Sequence, residues 1–393
     1  MANDLISTYD RLFAYCNDRD FAGSDPFDGL NSRIFQVTPF KYSRTARLAL
    51  LQVVKRSPID PRSILLVPNG VNPKALALFA LAELARFRES SETMHAANAR
   101  DRIERLTALR IGGMTKDGKP TTAFGYNFDW QSRVFFAPKG TPAIVPTAFA
   151  SQAYIEAYEV SGEEKFLNTT NEIARFVLSD LGRIDETKDE VCFSYTPVDR
   201  TVIFNASLLA GECLARAGTA TGNDKYLEMA AKAVRFVIRR QNPNGAWVYG
   251  GGENQSWVDN FHTAYILLSL FRISSEIEEL RSETYDAINN GAGYWLKSFF
   301  LDDGTPKYYD HEVYPVDIHS AAVAIAALAE LRNLDERMLP LANKVAEWTC
   351  ENMLDADGYF YYQKRKSSVV KTPFMRWGQA WMAYALARLI EAN

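Results

Sequence analysis

YLEMAAKAVRFVIRRQNPNGAWVYGGGENQSWVDNFHTAYILLSLFR, residues 226–272, decides the fold. It opens with an amphipathic helix and turns at Asn244-Gly245 into an aromatic pair, Trp247 and Tyr249. A short loop then leads into a far more apolar helix. The same grammar returns at 285–331, with the turn at Asp303-Gly304, and at 339–391, with the turn at Asp357-Gly358. Backwards along the chain it recurs at 165–216 around FSY, at 95–159 with a long loop through FGYNFDW, and at 43–87. The first polar residues of the apolar helices are Thr147, Asn205, His262, His319 and Gln379, at intervals of 58, 57, 57 and 60. Asn72 lies 75 before Thr147, the excess falling in the loop at 110–146. Six hairpins at this period predict an all-α, closed (α/α)6 toroid with apolar helices inside and amphipathic helices outside. The barrel is expected over 43–393, with 1–42 packing on it. An open solenoid would need polar-faced capping repeats, and none is evident.

The bulk properties agree with a single large core. The 393 residues are 47% apolar and 12% aromatic. A net charge of −4 argues against sequence-independent nucleic-acid binding. No run approaches 18 apolar residues, so no membrane span is expected. MANDLISTYDRLFAYCNDRD lacks a basic stretch followed by an apolar one, so no signal peptide is expected. Cys16, Cys192, Cys213 and Cys350 are scattered without metal-ligand spacing, which suits a reducing cytoplasm.

A functional face follows from the repeat. If all inner helices run the same way, their N-termini open together, with unpaired N–H groups and positive dipole ends. Asp259 and Asp317 precede His262 and His319 at equivalent phases. Helix capping accounts for the acids, as it does for Thr147 and Asn205, but it does not call for histidine. The chain has four histidines, and two share this phase. His262, His319, Asp259, Asp317 and Tyr314 are therefore the candidate catalytic groups.

Aromatics gather in the loops before the inner helices: Tyr126, Trp130, Tyr195, Trp247, Tyr249, Tyr308, Tyr309, Tyr361 and Tyr362, with Trp257 and Trp377 nearer the helix starts. Such rings stack on the apolar faces of sugars, although rim packing predicts the same recurrence. Arg133, Arg200, Lys371 and Arg376 bring positive charge to this face. Arg376 opens a helix, where the dipole disfavours a cation, and so calls for an anion from the protein or from a ligand. The candidate binding set is Arg376, Gln379, Asn205, Arg200, Trp130, Asp129, Trp247, Trp257, Tyr126 and Trp377.

Other chemistries find little support. Gly250–Gly252 follows no strand and lacks the phosphate-loop pattern, no GxSxG elbow exists, and no HExxH-type spacing occurs. No metal and no cofactor are expected. QNPNGAW, 241–247, faintly matches a terpene-cyclase turn, but no aspartate-rich motif accompanies it.

DPFDGLNSR (25–33), WVDNFHTAY (257–265), YPVDIHSAA (314–322), GYFYYQK (358–364) and MRWGQAWMAYAL (375–386) resemble polysaccharide biosynthesis proteins of the VpsJ type, in the six-hairpin glycosidase superfamily. The resemblance runs over nearly the whole chain and implies an oligosaccharide or polysaccharide partner. SWVDNFHTAYILLSL (256–270) also resembles a helix of D-glucuronyl C5-epimerases, whose catalytic tyrosines have no residue-by-residue counterpart here. These likenesses imply an enzyme of surface-polysaccharide metabolism acting on a uronic-acid-containing glycan. In the epimerase form His262, His319 and Tyr314 would carry protons, and Arg376 or Arg200 would hold the carboxylate. In a hydrolase of the unsaturated-glucuronyl type, Asp259 and Asp317 would form the carboxylate pair, with Asp129 and Glu253 in reserve. A non-catalytic glycan-binding or scaffold protein is the third reading.

Overall fold

A computed structural model describes residues 2–57, 59–132 and 135–393. Among them are fourteen helices: α1 Ala2–Asn17, α2 Arg33–Gln36, α3 Arg44–Arg56, α4 Pro73–Ser90, α5 Thr93–Thr107, α6 Ile144–Ser161, α7 Glu164–Ser179, α8 Phe204–Thr221, α9 Asp224–Ile238, α10 Asn260–Glu276, α11 Glu278–Phe299, α12 Ile318–Glu330, α13 Met338–Met353 and α14 Ala380–Ala392.

Two kinds of helix alternate, as the apolar pattern demands. In α12 every residue from Ile318 to Ala329 is buried, so the helix must be surrounded on all sides. By contrast α9 buries Tyr226, Met229, Ala230, Ala233, Val234 and Val237, a stripe at three- and four-residue spacing, and leaves its other face wet. The largely buried helices α4, α6, α8, α10, α12 and α14 pack each on the next, and α14 closes on α4. The chain is an (α/α)6 toroid. Helices α5, α7, α9, α11 and α13 lie outside, each against the inner helix before it in the chain.

The sixth outer place is filled differently from the expected hairpin of 43–56 with 73–87. Helix α3 packs on the 3-10 turns Asp28–Asn31 and Pro39–Tyr42, over the loops, while α1 packs against α14. One turn shows the equivalence. Gly245, Gly304 and Gly358 all have φ near +90°, and each presses on a carbonyl of the next outer helix: Asn290 of α11, Lys344 of α13 and Arg11 of α1. A Cβ would sit 2.4, 2.7 and 3.0 Å from those oxygens. Gly304→Ala is expected to lose about 1–3 kcal/mol, because alanine meets both a forbidden φ and a backbone atom. Gly293→Ala, in a helix and facing open space, should instead gain about 0.5–1 kcal/mol. Chemical denaturation of both variants checks the contrast.

The C-terminal ends of the inner helices are joined by a circuit of ion pairs to which every one contributes. Arg88 of α4 meets Glu156 of α6 at 2.8 Å and Glu391 of α14 at 2.6 Å. Glu156 faces Arg216 of α8 at 4.0 Å, and Glu212, one turn earlier on α8, meets Arg272 of α10 at 3.1 Å. Arg272 reaches Glu330 of α12 at 2.6 Å, and Glu330 faces Arg388 of α14 at 3.4 Å. This end is therefore tied shut, and the inner N-termini form the mouth.

Candidate active site

The mouth is built twice on one local plan, an N-capping aspartate followed by a first-turn histidine. Asp259 caps α10: its Oδ1 accepts from His262 N at 2.9 Å. Its Oδ2 accepts from His262 Nδ1 at 2.6 Å and from Trp257 Nε1 at 3.0 Å. With Nδ1–H committed to the carboxylate, Nε2 of a neutral His262 carries the lone pair, and it has no hydrogen-bond partner among the described residues. The His262 side chain is 19% exposed, under Tyr249 (ring centroids 4.6 Å apart), which stacks on Trp257 at 4.5 Å. This aspartate–imidazole–open-nitrogen arrangement suits a general base.

Asp317 caps α12 in the same way, accepting from His319 N at 2.9 Å. Its carboxylate also accepts from Trp377 Nε1 at 2.9 Å and Gln363 Nε2 at 2.7 Å. His319 has turned inward and is 1% exposed, stacked on Trp377 at 3.9 Å. Its Nδ1 lies 3.0 Å from Trp377 O, a carbonyl that can only accept, so Nδ1 carries the proton. Nε2 then accepts from Tyr265 Oη at 3.1 Å. Tyr265 Oη accepts in turn from Lys74 Nζ at 3.4 Å. Lys74 is buried among Phe149, Trp381 and Tyr265, its Nζ 4.2, 5.1 and 5.5 Å from their centroids. Burial, reinforced by Arg376, pushes the Lys74 amine well below its ordinary range. Burial, then Lys74, holds the His319 imidazole well below its usual value. The two histidines meet at Phe261, whose ring lies 4.0 Å from His262 and 4.9 Å from His319.

A pH dependence follows. Below about pH 6.5 the unfolded chain takes up a proton that buried His319 refuses, so stability falls as pH drops from there towards the depressed folded-state value. Urea midpoints of His319→Asn should fall less than those of the wild type between pH 7 and 5. Equal falls would overturn the assignment.

Several residues expected to face a ligand are committed elsewhere. Arg376, in the π-helical turn Met375–Gln379, forms a buried bidentate pair with Asp25, at 2.6 and 2.8 Å. The anion its position calls for is supplied by the protein. Arg200 donates to its neighbour's carbonyl, Asp199 O, and lies against Gly182. Gln379 spends both ends of its amide on the Phe360 backbone, at 2.8 Å each, and Thr147 ties Phe124 in the same way. Asp129 accepts from Lys139 N and Gln36 Nε2. Trp247 is buried under Gly291 and donates to Val237 O, so it packs between outer helices. Asn205 is buried, and its Oδ1 accepts from no protein group among the described residues. Trp130 packs on Tyr195 and Phe135, and Tyr126 shares a 2.8 Å hydrogen bond with Tyr195 beneath Arg376. Tyr314 is 40% exposed in the loop before α12. Lys371 lies over the Tyr361 ring, and Arg133 falls outside the described residues. A narrow polar recess opens beside Arg376, lined by Asp25, Asp28, Asn31, Asn72 and Asn127.

Lys74, Tyr265 and Asp25 were not singled out from sequence. Lys74 carried a usable signal: it is a cation in the first turn of an apolar helix, the anomaly that marks Arg376.

No protein-family model and no curated protein matches the chain. Among solved structures it is similar to a cellobiose 2-epimerase from Bacillus thermoamylovorans B4167, with TM-score 0.63 and 12% identity over 83% of this chain and 90% of that one. It is similar to an unsaturated glucuronyl hydrolase specific for heparin, with TM-score 0.58 and 13% identity over 82% and 86% of the two chains. A D-mannose isomerase matches with TM-score 0.59 and 14% identity over 82% and 87%. At these identities the likeness is one of fold, the (α/α)6 toroid of six-hairpin proteins.

Proposed function

We propose that the chain is a carbohydrate-active enzyme of the epimerase or isomerase kind, in which His262 removes and returns a proton at a sugar carbon activated by an adjacent carbonyl or carboxylate. The observation that carries this reading is the Asp259–His262 pair, with its free Nε2 at the mouth. Asp259 fixes the ring and stabilises the imidazolium formed when Nε2 takes the proton, while the electron pair passes to the substrate oxygen. Tyr265 Oη, held by His319 Nε2 and one ring away from His262, is the candidate second proton donor. Epimerases and an isomerase among the structural neighbours support this class.

Hydrolysis by paired aspartates fits less well. Asp259 and Asp317 are both buried, and each accepts three hydrogen bonds from protein donors, leaving neither carboxylate open to a glycosidic oxygen. The uronic-acid form of the chemistry, at C5, lacks its expected clamp, since Asp25 neutralises Arg376 and Arg200 is turned away. A sugar that supplies its own carbonyl suits the mouth better than one needing a cation.

Proton NMR in D2O tests the reading on a panel of reducing disaccharides, aldoses and uronic-acid glycans. Deuterium at C2 or at C5 is the expected result and tells the two substrate forms apart. New reducing ends without exchange would make the protein a hydrolase, and binding without turnover a lectin-like module.

A further inference from the structure

Residues 33–66 carry a surface unlike the rest of the molecule. Of the sixteen exposed large hydrophobic residues among those described, eight lie here: Ile34, Val37, Phe40, Tyr42, Val53, Ile59, Ile64 and Leu66. The same stretch holds seven arginines and lysines against one acid, Asp60, in a chain whose net charge is −4. Arg62 is tied to Asp28 and Asp60, but Arg33, Lys41, Arg47 and Arg56 meet no carboxylate within ion-pair distance among the described residues. The segment is a folded flap. Ser32 Oγ donates to Leu65 O, Lys41 Nζ to Gln36 O, and Arg47 to both Lys41 O and Gln131 Oε1. Its inner side rests on the mouth, through Val54 on Gly29 and Lys55 over Phe27, which packs on Trp377. On α3 the residues left to solvent, Arg44, Thr45, Ala49, Gln52, Val53 and Arg56, form the face away from the barrel.

We propose that this flap docks on the surface of an anionic phospholipid bilayer, its apolar side chains entering the headgroup boundary and its arginines and lysines meeting the lipid phosphates. Two observations select this partner together. The apolar density is of no use to a soluble polyanion, whose contacts would be charged and wet. The one-sided positive charge opposes a second copy of the same face, since like charges would meet across the axis. An anionic bilayer alone rewards both features. No described helix is long and apolar enough to cross a membrane, so the contact is interfacial. The inference stands apart from the proposed catalysis, because none of these side chains belongs to the histidine site.

Co-sedimentation of the full chain with vesicles of phosphatidylcholine and phosphatidylglycerol, against phosphatidylcholine alone, tests it. Binding should require the anionic lipid and weaken as sodium chloride rises from 0.1 to 0.5 M. Each basic side chain at such a surface is worth about fivefold. Arg33 and Arg56 both changed to Glu, a change of four charges, should therefore weaken binding about a hundredfold or more. Val37, Phe40, Ile59 and Ile64 all changed to Ser should also release the protein, with the melting temperature held close to wild type. Should either variant fail to fold, the lipid and salt dependence of the wild type decides alone. Equal binding to neutral vesicles or none to anionic ones would overturn the proposal. So would capture by soluble dextran sulfate, or self-association through the flap, without vesicle binding.

Discussion

Replacing His262 by alanine should abolish proton exchange at the sugar while leaving the barrel folded. Removal of a positioned general base typically costs 10²–10⁴-fold in rate, so kcat is expected to fall by about a thousandfold with KM little changed. Stability should move by no more than about 1 kcal/mol: the side chain is partly exposed, and the cap from Asp259 to the backbone N of residue 262 survives the change. Asp259→Asn sharpens the assignment, because asparagine caps a helix as well as aspartate does but cannot stabilise an imidazolium. It should lose much of kcat and cost about 1–2 kcal/mol of stability, because its amide nitrogen cannot accept from Trp257 Nε1 as the Asp259 carboxylate does. Exchange in D2O that persists in His262→Ala would sink the proposed role.

Breaking the circuit at the closed end should have the largest effect on stability. Arg272→Met removes the cation shared by Glu212 and Glu330, and the Glu212 side chain is only 2% exposed. Glu212 would then stand without a cation in a low-dielectric site and Glu330 would keep only Arg388, a loss of about 3–5 kcal/mol at pH 7. The triple change Glu212→Gln, Arg272→Met and Glu330→Gln should recover most of this, because it removes the charges along with the partner. Arg337→Met, which breaks an exposed pair with Asp335, should shift stability by less than about 1 kcal/mol. The circuit also has an acid limb. Glu330 is held at about 2 by Arg272 against its burial, so its contribution is present above the ordinary carboxylate value and disappears as pH falls towards 2. Urea unfolding of the four proteins checks the pattern, and a loss below 1 kcal/mol for Arg272→Met would remove the circuit from the account of stability.

Much of the toroid was legible because its signals are local. An inner helix must be apolar all round and an outer helix striped, and each writes that requirement into its own 13–22 residues. The Asn-Gly and Asp-Gly turns likewise mark a positive φ that neighbouring residues cannot relieve. The charge circuit was half legible: Arg88, Glu156, Arg216, Arg272, Glu330 and Arg388 end the apolar helices at nearly the repeat interval, with both signs among them. The sixth outer helix was not, because α1 and α3 are both amphipathic and α3 lies nearer to α4 in the chain. What distinguishes them is packing at a distance: α1 lies against α14, with the carbonyl of Arg11 beneath Gly358.

The sequence by itself determined the hairpin period, the sorting of helices into two rings and the phase at which Asp259–His262 and Asp317–His319 recur, for each depends on burial or capping within one segment. Only the tertiary structure decided that Arg376 spends its charge on Asp25, 351 residues away, that His319 turns inward to Tyr265 and Lys74, and that His262 alone of the pair keeps a free nitrogen at the mouth. Such outcomes depend on which polar groups meet across a closed ring. Electrostatic and hydrogen-bond partners are chosen by distance in space, which a repeat with one short local grammar leaves open until the last helix meets the first.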